Sequence, residues 1–151
     1  MPKTDDTFLA ALRLLRAQAA VSARFSPGLG SLHGIALNEL LFLLQLSRAP
    51  LQRLRRVDLA ARLHTSQSTI TRMALPMEKT GYVKRESDPR DARVAYVTLT
   101  RDGRTLVKDA EATLRQMAAA LFRDRWSEKE IATLSDLLGR FTTALPGDIA
   151  A

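Results

Sequence analysis

Apolar residues recur along this chain with two different periods, and each change of period marks a new element. Phe8, Leu12, Leu15 and Ala19 follow a 4-3-4 spacing down one face of a first helix, capped by Thr4 or Asp5 and expected to run to about Phe25. Ser26-Pro27-Gly28-Leu29-Gly30-Ser31 then reads as a cluster of helix breakers. Leu37, Leu40, Leu41 and Leu44 give the i, i+3, i+4, i+7 pattern of a second helix, which Arg48-Ala49-Pro50 should end. A short helix is expected over Arg55 to Leu63, with Leu59, Ala60 and Leu63 available for packing. A tight link follows, His64-Thr65-Ser66, in which Ser66 is a good N-cap. The next helix reads from Gln67 to about Thr80 and stops at Gly81.

The period then drops to two. Tyr82 to Glu86 and Val94 to Leu99 are expected as strands, the second alternating Ala95, Val97, Leu99 with Val94, Tyr96, Thr98. Between them Ser87-Asp88-Pro89-Arg90-Asp91-Ala92-Arg93 is a polar hairpin tip. From Thr100 a long helix should run towards Arg125, about 36 Å if 24 residues are helical. Leu106, Ala110, Leu114, Met117 and Leu121 line one side of it. Ser127-Glu128-Lys129-Glu130 is a capping box for a last helix carrying Ile131, Leu134, Leu138 and Phe141.

Helix, tight turn, helix, strand, basic hairpin, strand is the order of a winged helix-turn-helix. The expected fold is therefore mainly α with a small β-hairpin wing, and the division is a winged module over 33–100 and a helical dimerisation region over 1–32 and 101–151. The terminal helices carry more leucine than a small winged module can cover, so a second copy of the chain is the expected partner; a monomeric helical bundle is the alternative.

Charge sharpens this picture. The net charge is +7, but Arg48 to Arg93 holds eleven Lys/Arg against five Asp/Glu while the rest of the chain holds twelve against eleven. A surplus concentrated in the winged segment points to a polyanion. On the helix after the turn, Ile70, Met73, Ala74 and Met77 project to the buried side, Ser68, Arg72, Leu75 and Lys79 project opposite, and Thr69 and Thr71 lie on the flanks. A free face of small hydroxylated and basic residues suits a major groove, where Arg reads guanine and hydroxyls reach phosphates and base edges. The candidate contacts to double-stranded DNA are Ser66, Gln67, Ser68, Thr69, Thr71 and Arg72, together with Arg90 and Arg93, which can enter a minor groove from the hairpin tip. Asp91, between those arginines, is expected to support the tip by accepting from its amides or from Arg93.

Val57-Asp58-Leu59-Ala60, Ser66-Gln67-Ser68-Thr69-Ile70-Thr71-Arg72, Met77-Glu78-Lys79-Thr80-Gly81-Tyr82-Val83, Asp88-Pro89-Arg90-Asp91-Ala92-Arg93 and Val97-Thr98-Leu99-Thr100 resemble the MarR family of bacterial regulators over nearly the whole chain. The resemblance implies a homodimer on a pseudo-palindromic operator and regulation of transcription, more often repression. It also implies, in many members, a small aromatic or phenolic effector between the dimerisation helices and the winged module. His33 is the candidate pocket residue, with a structural role at a helix start as its other reading. Two departures stand out. Pro76 removes the bond to the Arg72 carbonyl and should kink the recognition helix, tilting Lys79 relative to the groove. The absence of cysteine removes any peroxide-sensing thiol.

Other classes fare worse. His33 and His64 have no second ligand at metal spacing, Gly28 and Gly30 follow no strand, and Asp88 and Asp91 sit on an open hairpin with no concave site, so neither an enzyme nor a cofactor or metal is expected. Met1 to Asp6 is acidic where an export signal would be basic, and no apolar run approaches the roughly 20 residues of a membrane span; a cytoplasmic, membrane-free protein is expected. The remaining alternative is a basic helical module for an acidic protein partner or an anionic membrane surface, to which exposed Leu75 lends some support.

Overall fold

In the computed structural model, which describes residues 4–142, six helices and a three-stranded antiparallel sheet follow the order α1 (Thr4–His33), α2 (Leu37–Arg48), β1 (Arg53–Arg55), α3 (Arg56–Arg62), α4 (Gln67–Lys79), β2 (Val83–Ser87), β3 (Ala95–Leu99), α5 (Arg101–Phe122) and α6 (Glu128–Gly139). The chain divides into two compact units, Met1–Leu37 and Asn38–Ala151. The dimerisation region expected over 1–32 and 101–151 extends at both ends beyond the described residues.

The first unit corrects one expectation. α1 does not stop near Phe25 but continues through Pro27 to His33, and the supposed breaker cluster is helical. Pro27 costs the helix one hydrogen bond and roughly 3 kcal/mol of propensity. Phe25 and Leu29, four residues apart on one face, are buried, and that burial offsets the cost. The Ser26 hydroxyl also donates to the Ser22 carbonyl at 2.7 Å. His33 is therefore the last residue of a helix rather than the start of one.

In the second unit α2 is buried almost all round, with Leu40, Phe42, Leu43, Leu44, Gln45 and Leu46 inside. After it a turn places Leu51 and Gln52 in the left-handed region, at φ 56° and 53°, and delivers the chain into β1, a strand that sequence periodicity did not reveal. β1 pairs with β3 (Arg53 with Thr98, Leu54 with Val97, Arg55 with Tyr96) and β3 with β2 (Val83 with Leu99, Arg85 with Val97, Ser87 with Ala95), giving the order β1-β3-β2. Arg55, expected as helical, thus belongs to the sheet, and α3 starts one residue later.

α4 ends in a Schellman turn. The Tyr82 amide donates to the Met77 carbonyl at 2.9 Å and the Gly81 amide to that of Glu78 at 3.1 Å. Gly81 sits at φ 82°, which a side chain would strain. The same corner anchors α5: the Thr100 hydroxyl accepts from the Gly103 amide at 3.1 Å and donates to the Gly81 carbonyl at 2.5 Å. α5 has 22 residues, about 33 Å, and turns Gly103, Val107 and Ala110 inward. The capping box of α6 is present: Ser127 Oγ accepts from the Glu130 amide and Glu130 Oε2 from the Ser127 amide. That second bond first, and then the Ser127 hydroxyl, hold the Glu130 carboxyl below its usual range.

Candidate nucleic-acid interface

The helix-turn-helix is built by α3 and α4. His64, at φ 51°, is an exposed turn residue between them. Ser66 caps α4, its Oγ accepting from the Thr69 amide at 3.2 Å while lying 3.0 Å from Ser68 Oγ and 2.9 Å from Thr69 Oγ1. Arg72 reaches back one turn to donate to Thr69 Oγ1 at 3.2 Å. Three hydroxyls and a guanidinium are thereby gathered at the positive end of a helix, where amide hydrogens already favour an anion. Ile70, Ala74 and Met77 are buried and Met73 is half-buried, whereas Gln67, Ser68, Arg72, Leu75 and Lys79 are exposed, matching the expected two faces. α4 continues through Pro76 as one helix to Lys79.

Thr71 lies differently from Ser66 and Ser68. It is half-buried, its hydroxyl donates to the Gln67 carbonyl at 3.1 Å, and it accepts from Arg56 Nη1 at 3.0 Å. The Arg56 bond ties α3 to α4 and fixes the angle between them. Arg56, Thr71, Glu78, Arg85 and Tyr96 line a narrow gap between α4 and the sheet, so the recognition helix lies directly against the wing.

The wing tip is shaped by two carboxylates, each folding back on an arginine amide. Asp88 Oδ1 accepts from the Arg90 amide at 2.7 Å, and Asp91 Oδ1 from the Arg93 amide at 2.9 Å. Backbone bonds from Asp88 to Val94 and from Val94 to Asp91 close the loop. Arg90 and Arg93 are exposed and make no ion pair among the described residues, so their charge is not spent inside the fold. Asp88 has a further partner, the Tyr96 hydroxyl, which donates to Oδ2 at 3.2 Å. The Arg90 amide first, then Tyr96 and the Asp91 amide, hold the Asp88 carboxyl below its ordinary range.

Sequence reasoning gave Asp91 a role in the tip, weighed Asp88 only as a carboxylate beside it, and passed over Tyr96 and Arg53. The Arg53 guanidinium stands 4.3 Å from the centre of the Tyr96 ring and 3.9 Å from Glu86. Glu86 also takes Lys84 at 2.6 Å and the Thr98 hydroxyl at 2.9 Å; those two bonds, Lys84 first, keep its carboxyl below the usual range. The outer face of the sheet is thus a connected polar layer.

A second feature of this unit is an open cleft of about 400 Å³ between the end of α2, the turn at Gln52 and the first half of α5. Leu99 and Val107 supply apolar wall, and Arg104, Lys108, Glu111 and Arg115 supply charge. Arg104 donates to Gln52 Oε1 at 3.4 Å, and Glu111 holds Arg48 at 3.0 Å and Arg115 at 2.6 Å. His33, the last residue of α1, is half-buried. Among the described residues no cluster of His, Asp and Glu could hold a metal ion, and no single helix is long and apolar enough to cross a membrane.

A helix-turn-helix followed by a hairpin wing with an arginine-bearing tip defines the winged-helix class. Within that class, residues 35–95 match the sequence model of the MarR family. A Bacillus subtilis (strain 168) protein, the uncharacterized HTH-type transcriptional regulator YxaD, is 33% identical over 88 residues, which are 58% of this chain and 60% of that protein's length. The solved structure of Sco3205, a MarR family transcriptional regulator from Streptomyces coelicolor in complex with DNA, superposes with a TM-score of 0.82 at 20% identity, over 93% of this chain and 88% of that one. The transcriptional regulator BldR from Sulfolobus solfataricus gives 0.79 at 26% identity, over 93% and 99%. Residues 35–95 thus carry MarR-family sequence character, and over nearly its whole length the chain shares the fold of these regulators.

Proposed function

We propose that this protein is a sequence-specific, homodimeric DNA-binding regulator of transcription, a repressor as its resemblance to the MarR family implies, that works in the cytoplasm without catalysing a reaction. The observation that carries the reading is the pairing of a hydroxyl-rich, positively poled α4 N-terminus with a wing whose Arg90 and Arg93 are presented unpaired. In this reading Ser66, Gln67, Ser68, Thr69 and Arg72 meet the major groove, Arg90 and Arg93 the minor groove or its phosphates, and Asp91 keeps Arg93 in position. Thr71 contributes mainly by holding Arg56.

The homodimer is supported by apolar surface left uncovered on the terminal helices: Phe8 and Leu15 of α1 and Phe141 beyond α6 are each about two-thirds exposed or more, at 65%, 66% and 74%. Exposed large apolar side chains gathered on terminal helices suit an interaction site, and the likeness to MarR regulators points to a second copy as the occupant. Two recognition helices related by a twofold axis call for half-sites about 10 bp apart. A small aromatic or phenolic effector is part of this reading, with the cleft lined by Leu99, Val107, Arg104, Lys108 and Glu111 as one site for it and His33 kept as a separate candidate contact.

The test is a footprint of the purified protein on DNA upstream of its own gene, alongside binding to anionic vesicles and with a panel of aromatic acids added. Protection of a twofold-related sequence supports the reading. Binding to vesicles with no preference among duplexes would instead favour the membrane-surface alternative.

A further inference from the structure

Resting on the DNA-binding reading above, we propose that Tyr96 is a positioning residue of the wing: braced by Arg53, its hydroxyl fixes Asp88, the carboxylate that folds the tip presenting Arg90 and Arg93. The two arginine-bearing turns of the tip are not equivalent. Asp91 closes only on the Arg93 amide beside it, so nothing in that bond relates the turn to the rest of the protein. Asp88 closes on the Arg90 amide and also accepts from Tyr96 at 3.2 Å, and Tyr96 stands on the central strand β3.

Tyr96 is itself held from the far edge of the sheet. Arg53 on β1 lies over its ring at 4.3 Å, and the Arg53 guanidinium reaches Glu86 on β2 at 3.9 Å. One chain of contacts, Arg53 to Tyr96 to Asp88 to the Arg90 amide, therefore crosses the sheet and ends at a DNA-facing arginine. A hairpin tip is among the least stable parts of a fold, because its amides have few partners. A side-chain bond from a packed strand into the tip narrows the directions that Arg90 and Arg93 can take, and a preorganised contact binds more tightly than one ordered on binding. The remaining charged groups facing this layer are Lys84 and Arg55, and they are occupied by Glu86 and Asp58 respectively.

Tyr96→Phe keeps the ring under Arg53 and deletes only the hydroxyl. Two arms test the proposal on the full chain. In the free protein, hydrogen exchange at the Arg90 and Asp91 amides should speed up about three- to tenfold, the worth of one ordinary hydrogen bond, while the thermal midpoint falls by no more than the few degrees that one such bond is worth. On DNA, the same substitution should weaken operator binding by a similar factor in the parent protein and by nothing in an Arg90→Ala/Arg93→Ala background, because the hydroxyl acts through those residues. Equal losses in both backgrounds would overturn the proposal, and so would unchanged amide exchange. If the parent protein bound no duplex at all, the DNA-binding reading would fail while the exchange arm would still decide whether Tyr96 holds the tip.

Discussion

Alanine at Gly103 replaces hydrogen by methyl in the first turn of a long helix, a change that ordinarily stabilises by about 1 kcal/mol through helix propensity. Here the sign should reverse. A Cβ at this position would fall onto the Tyr82 carbonyl oxygen and within 2.8 Å of Leu99 Cδ1. The carbonyl is backbone and already accepts from the Thr100 amide at 3.1 Å, so it cannot retreat without loosening the corner that joins α4, β2 and α5. Overpacking of a tight site costs about 1 to 3 kcal/mol, and the backbone clash puts this case at or above the upper end. Setting about 3 kcal/mol against the propensity gain leaves a net loss of about 2 kcal/mol. Gly139, the last residue of α6, has nothing within 4 Å of its Cβ position and serves as the control, where alanine should gain up to about 1 kcal/mol. Urea unfolding at one fixed protomer concentration reads both values. A Gly103→Ala protein as stable as its parent would refute the claim that α5 starts in direct contact with the Tyr82 corner between α4 and β2.

Four further outcomes are expected. Arg93→Ala should weaken operator binding and lower the slope of log affinity against log salt by about 0.9, the value of one phosphate contact; an unchanged slope removes Arg93 from the interface. Arg72→Ala should cost about 1 to 3 kcal/mol and relax preference at a single base pair if it reads a base edge, as competition with single-position operator variants will tell. Ser66→Ala deletes the cap on the Thr69 amide and should lose about 1 kcal/mol of unfolding free energy, measured in urea. Asp88 titrates below the usual carboxylate value because the Arg90 amide and Tyr96 favour its charged form. Its contribution to wing order is therefore full above pH of about 4 and lost as pH falls through the lower folded value; tip amide exchange followed from pH 6 to 2 in the parent but not in Asp88→Asn should carry that step.

The elements that periodicity revealed are those that show one regular apolar stripe between local boundary signals. α2, α4, α5 and α6 each pair a 3.6-residue apolar stripe with a local boundary signal, such as Gly81 after α4 or the Ser127 capping box before α6, and the two wing strands carry an alternation of period two. The failures come where burial or strand pairing overrides the local signal. Pro27, Gly28 and Gly30 look like punctuation, yet buried Phe25 and Leu29 keep that stretch helical. Arg53-Leu54-Arg55 is too short to display a period and becomes a strand only because β3 offers it an edge. Site residues divide in the same way. The candidate serines, threonines and arginines of α4 and the tip stand out by type in a local pattern, whereas the contacts of Arg53 and Tyr96 come from a pairing across the sheet that no local pattern encodes.

The most direct test is fluorescence anisotropy of the purified protein on a duplex from its own upstream region and on an unrelated duplex of equal length, at about 150 mM salt, with the mass of the complex measured alongside. Two chains per duplex and affinity tighter by about a thousandfold or more for the first sequence are expected. One chain per duplex, or equal affinity for both, would contradict the account.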